Sequence, residues 1–137
     1  MTFATQHDIG AEVKSVKGIN PADSAAATIN GPAIDRSGFL SAVLHHASGA
    51  ATGTPTAQTV DSKLQDSADG STGWADITGA AAAQLTADDT DADVNVDFGT
   101  TKKFIRVVTT VGFTGGTSPT IPVAATVMLG GPDVLPA

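Results

Sequence analysis

His45 and His46 are the adjacent residues best suited to bind a metal or carry a proton in this 137-residue chain. They sit in Ser37-Gly38-Phe39-Leu40-Ser41-Ala42-Val43-Leu44-His45-His46-Ala47. Neighbours on a strand point to opposite faces, so the two rings cannot grip one ion. The third histidine, His7, lies far away in the leader. One half-buried and one exposed histidine are expected, with no metal site.

Two acidic loops invite a cation. The first runs from Asp66 to Gly73. An EF-hand needs oxygen ligands at positions 1, 3 and 5, Gly at 6 and Glu at 12. Counted from Asp66, Ala68, Ser71 and Ile77 stand where a ligand, the Gly and the Glu belong. A hairpin turn is the expected role. The second is Asp88, Asp89, Asp91 and Asp93. A hard cation would relieve their mutual repulsion, but solvated loop charges are the expected state.

Covalent catalysis finds no support. The chain has no Cys, no G-x-S-x-G elbow and no G-x-x-x-x-G-K-[ST] phosphate loop. Paired Asp residues could hydrolyse glycosides, yet Trp74 is the single Trp and Tyr is absent, so little could stack a sugar. Trp74 could be a ligand platform; following a turn, it is expected to pack on the core. No enzyme activity and no cofactor are expected.

The elements that would position these residues are short strands. Val94, Val96 and Phe98 alternate with Asp93, Asn95 and Asp97, the pattern of a half-buried antiparallel strand. Phe104 to Val111 is apolar on both faces and reads as a central strand. Ile121, Val123, Ala125, Val127 and Leu129 share one face of a last strand. Thr56 to Ser67 puts Val60, Ser62 and Leu64 on one face and forms a hairpin with Trp74 to Ile77. Ser37 to Ala47 reads as a strand, with a short helix as the alternative. Residues 1–34 read as an arm with one or two strands, around Ala11–Val16 and Ser24–Ile29, broken at Asn20-Pro21-Ala22-Asp23. The organisation is thus an arm over 1–34, a sandwich over 35–130 and a tail over 131–137. Seven to nine short strands with turns between them predict an all-β sandwich or jelly roll.

Composition agrees. The acids are all Asp except Glu12, and Asp prefers turns to helix interiors. The formal charge is −7 with only seven Lys and Arg, which argues against a nucleic-acid partner. No apolar run reaches the ~20 residues of a membrane span. The N-terminus lacks a basic region followed by an apolar run, so a soluble protein made in a cytoplasm is expected. Ala dominates the apolar residues, and its burial contributes little. Association would add stability.

One stretch carries a resemblance. Lys63-Leu64-Gln65-Asp66-Ser67-Ala68-Asp69-Gly70-Ser71-Thr72-Gly73-Trp74-Ala75-Asp76-Ile77-Thr78-Gly79-Ala80 is followed by Lys103-Phe104-Ile105-Arg106-Val107-Val108, a Gly/Thr/Ser turn and the last apolar strand. Over about residues 38–130 this resembles the jelly-roll decoration, or cement, proteins of tailed-bacteriophage heads. The resemblance implies a jelly-roll-like antiparallel β-sandwich with an extended N-terminal arm. It also implies a place on the capsid surface, the major capsid protein as partner, and self-association as a homotrimer. It transfers no site residue. Apolar residues in polar terminal segments suggest the interface: Phe3, Ile9 and Val13 in the leader, Val134 and Leu135 in the tail. A tail- or fibre-associated module and a carbohydrate-binding sandwich are the alternatives.

Overall fold

Ile121 to Leu129 alternate as a strand must, and the computed structural model, which describes residues 7–137, buries all five apolar members of that series. They belong to β9 (Ile121–Pro132), one of nine strands among the described residues. The others are β1 (Val13–Ser24), β2 (Ala27–Asn30), β3 (Ile34–Asp35), β4 (Phe39–Ser48), β5 (Ala57–Ser67), β6 (Ala75–Ala81), β7 (Asp91–Asp97) and β8 (Phe104–Thr114). From Phe39 this segment is therefore strand, not helix, and Ser37 and Gly38 form the turn before it.

The strands form two antiparallel sheets. One has the order β1-β9-β4-β7; the other has the order β2-β8-β5-β6, with β3 pairing on the same side of β8 as β2. Taken as one broken strand, β2 and β3 leave four strands per sheet. The chain crosses between sheets at every step except the β5–β6 hairpin. This is the double Greek key of a jelly roll. β8 is central, as its apolar faces predict.

The segment 13–35 is more than an arm carrying strands. β1 pairs with β9 along its whole length, and β2 and β3 complete the second sheet. The expected turn at Asn20-Pro21 lies inside β1, where the register shifts between Lys17 and Ile19 and again between Ile19 and Ala22. An edge strand tolerates a proline at such an irregularity because the missing N–H breaks no ladder. The alternation is faint because only Gly18, Ile19 and Ser24 are buried in this strand.

The other edges are also irregular. β2 and β3 are interrupted at Gly31-Pro32, where Gly31 N–H donates to the Val107 carbonyl at 2.7 Å. A Cβ on Gly31 would lie 2.0 Å from the Gly18 carbonyl oxygen, so only glycine fits where β1 crosses the break. In β6, Ile77 to Ala80 bulge out opposite Leu64, and Ile77 and Ala80 turn inward against the core. β7 carries an Asp at alternate outward positions.

The core has two apolar clusters. Leu44, Leu64, Ile105, Val107, Val127 and Leu129 anchor the larger; Val60, Leu85, Val111, Ile121 and Val123 form the smaller. Each such side chain, fully buried, contributes about 1.5–3 kcal/mol. Ser62 on β5 lies between Val60 and Leu64, and Thr109 on β8 between Val107 and Val111. Together with His46 from β4 they form a buried polar layer between the clusters.

Candidate functional site

His45, His46, Asp69, Asp88 and Asp91 are engaged by partners within the fold. His46 is 1 % exposed. Its Nε2 lies 2.8 Å from the Ala83 carbonyl, which can only accept, so Nε2 carries the proton. Nδ1 then accepts from the Ser62 hydroxyl at 2.8 Å, and Ser62 Oγ accepts from Thr109 at 2.7 Å. Every group in the chain is satisfied with the ring neutral. Burial pushes the His46 pKa down, more than the Ala83 carbonyl raises it. His45 points the other way, its Nε2 2.8 Å from Asp91 Oδ2 at the surface. The two rings therefore occupy opposite faces, as strand geometry requires.

The acidic loops are used as turn chemistry. Asp69 Oδ1 accepts from the backbone N–H groups of Thr72 at 2.8 Å and Ser71 at 2.9 Å, which hold its carboxyl far below the usual range. Buried Ser67 accepts from Gly70 N–H at 3.1 Å. Asp88 Oδ1 accepts from Ala51 N–H at 3.0 Å and the Gln58 amide at 2.6 Å, which also lower its pKa. It ties the β6–β7 loop to the loop before β5. No group of three or more metal-ligating side chains converges among the described residues.

Trp74 does not join either core cluster. Its ring lies half-buried on the outer face of the second sheet, with the Arg106 guanidinium 4.5 Å from its centroid. Arg106 donates through Nε and Nη2 to Gln65 Oε1; Gln65 and Lys63 donate to opposite oxygens of Asp76 at 2.9 Å. The Arg-Val pattern at Arg106-Val107 already marks Arg106 as outward, but nothing local pairs it with Trp74. Arg36 was equally illegible. It donates to the carbonyls of Thr101, Lys102 and Phe39 and lies 5.3 Å from the Phe98 ring centroid, closing one end of the sandwich.

Large apolar side chains also remain exposed. Ile9, Leu40, Val134 and Leu135 are 71, 66, 76 and 50 % exposed, the large hydrophobic residues left outside the core among the described residues. They gather at one end of the first sheet. Gly130 pairs with both Val13 and Ser41, and Phe39 pairs with Pro132 just before the tail. Ala137 N–H donates to the Ala11 carbonyl at 2.9 Å, bringing the tail against the leader. Ile9 and half-buried Val13 line a shallow hollow with Val43 and Met128. Of the expected interface residues, Ile9, Val13, Val134 and Leu135 thus converge, Leu40 joins them unforeseen, and Phe3 lies outside the described residues.

No protein-family model matches the chain, and no curated protein matches it. Solved structures share its fold. The VP2 subviral particle of infectious bursal disease virus aligns over 88 % of this chain and 33 % of its own, 13 % identical, with a TM-score of 0.59. The PBSX exported protein XepA aligns over 88 % of this chain and 38 % of its own, 14 % identical, with a TM-score of 0.53. This chain thus spans little more than a third of either. The SPBc2 prophage-derived protein YomS matches 86 % of this chain and 92 % of its own, 12 % identical, at a TM-score of 0.46, too low to weigh. At these identities the likeness is one of fold: an antiparallel jelly-roll sandwich, shared with a virus-particle protein.

Proposed function

We propose that this chain is a structural part of a phage or virus particle that binds the outside of the capsid and stabilises its lattice. In this reading it has no catalytic role and no cofactor; its partners are the major capsid protein and further copies of itself, as a homotrimer. The observation that carries the reading is the gathering of Ile9, Leu40, Val134 and Leu135 at one end of a sheet whose two histidines are already engaged by Ser62 and Asp91. Exposed apolar clusters rimmed by polar residues mark protein contacts. The jelly-roll fold shared with VP2 supports it as an analogy of architecture.

Incubating the purified protein with expanded capsids that lack it, followed by cryo-electron microscopy, tests this. Ordered density at repeated lattice points is the expected result. Bare capsids overturn the proposal and move the search to tails.

A further inference from the structure

The outer faces of the two sheets differ in one respect. On the second sheet, Lys63, Gln65, Asp76 and Arg106 satisfy one another in a polar ladder. On the first, the outward positions of the central strands are mostly apolar and carry no carboxylate, Lys or Arg: Val43 faces Met128, and Ala47 faces Ala124, with His45 facing Thr126 between them. An antiparallel sheet with one solvated face ordinarily alternates apolar-in with polar-out. Here a hollow opens at each end of the face. One, of about 520 Å³, is floored by Pro21, Ala47, Pro122 and Ala124. The other, of about 360 Å³, holds Ile9, Val13, Val43 and Met128.

The carboxylates of this face are concentrated along β7. Asp91, Asp93 and Asp97 of β7 pair with Ala47, His45 and Ser41, so all three point to this same face. Alternate residues of a strand lie about 7 Å apart. Asp91 meets His45; neither Asp93 nor Asp97 has an ion-pair partner among the described residues. On the opposite edge, β1 offers Lys17 beside Thr126, with Asp23 beside Pro122 further along.

We infer that this face docks a flat protein surface with an apolar centre and a row of Lys or Arg along one rim, set against β7. The occupant is a foreign surface because the charge pattern does not complement itself. A two-fold axis across the strands would lay β7 on β7. A two-fold axis along them would set Lys17 on Asp93 but Asp23 near the Asp89–Asp91 turn. The inference rests on the virion reading and names the surface through which that neighbour is met.

The test uses particles purified from a culture that produces the protein, treated with a carbodiimide that joins carboxylates to lysines in contact. The expected result is cross-links from Asp91, Asp93 or Asp97 to lysines of another virion protein. In addition, an Asp93→Lys, Asp97→Lys double variant should occupy particles about tenfold less than wild type, and Asp61→Lys on the other sheet should match wild type. Thermal melts of the free variants establish that each folds. Cross-links confined to carboxylates of the second sheet, or full occupancy by the double variant, overturn this inference and leave the virion reading standing. Links from Asp93 to Lys17 of another copy also overturn it, in favour of self-association. Absence of the protein from particles overturns the virion reading and this inference together.

Discussion

His46 of β4 and Ser62 of β5 face each other across the sandwich, Nδ1 to Oγ at 2.8 Å, as the one fully buried side-chain link between the two sheets among the described residues. With the ring neutral, the link carries no buried charge. Protonation would put a cation between Leu64 and Val60. Hydroxyl rotation could accept the new N–H, but the desolvation would remain.

Acid should therefore weaken the fold in two stages. The His46 pKa is lowered in the folded state from 6.5. The unfolded chain binds the proton more readily, so this stability is complete above about pH 6.5 and is lost as pH falls towards the folded value. Of the titratable neighbours, Asp61 and Asp91 favour protonation and the His45 ring opposes it. Urea unfolding across this range should show the decline in wild type, and His46→Leu should remove it. The depressed carboxyls of Asp35, Asp69, Asp76 and Asp88 act only below about pH 4. A flat wild-type profile down to that point would contradict the buried neutral ring.

The direction of the hydrogen-bond chain ranks its members. Ser62→Ala leaves His46 Nδ1 a buried acceptor without a donor and should cost about 1–3 kcal/mol. Thr109→Val removes only the outermost donor and should cost about 1 kcal/mol. Chemical denaturation of the two variants decides the order; equal losses would refute the direction assigned here.

Gly31 tests the close crossing of β1 over the β2–β3 break. Gly31→Ala drives a methyl into the Gly18 carbonyl and should cost about 1–3 kcal/mol or more. Gly10→Ala, whose Cβ meets nothing closer than 3.5 Å, should stay within about 0.5 kcal/mol of wild type. Comparable melting temperatures for the two would show that β1 can move aside.

Trp74 is the sole tryptophan, so intrinsic fluorescence reports the outer face of the second sheet and not the core. Acrylamide should quench it in the folded protein. Arg106→Ala should increase that quenching and cost about 0.5–2 kcal/mol through the lost stacking. Resistance to quenching, as in a core tryptophan, would overturn the placement.

Sequence patterns reveal strands in proportion to how one-sided their burial is. Val94, Val96 and Phe98, or Ile121 through Leu129, alternate because one face meets a core and the other does not. Val60, Ser62 and Leu64 point inward as their spacing predicts. β1 is obscured because an edge strand buries few residues and Pro21 resembles a turn. Trp74 escapes because its partner Arg106 is distant in the chain, and its sequence neighbourhood matches that of a core tryptophan. The same holds for Arg36, whose acceptors lie in a loop some 65 residues away. Ile9, Val13, Val134 and Leu135 could be singled out as apolar residues in polar ends. That they lie at the same end, and that Leu40 joins the group, is decided by the pairing of β9 with β1 and β4.

Each sheet ends in a strand unsuited to take up another. β1 is kinked around Pro21, β7 presents a row of negative charges, β6 bulges, and β2–β3 is broken. Exposed edges ordinarily template fibrils and runaway polymers. With all four blunted, this molecule can be crowded to high local concentration without its backbone recruiting the next chain. Contacts must then be made through side chains on faces and ends, which can be reversible, oriented and specific to a chosen neighbour.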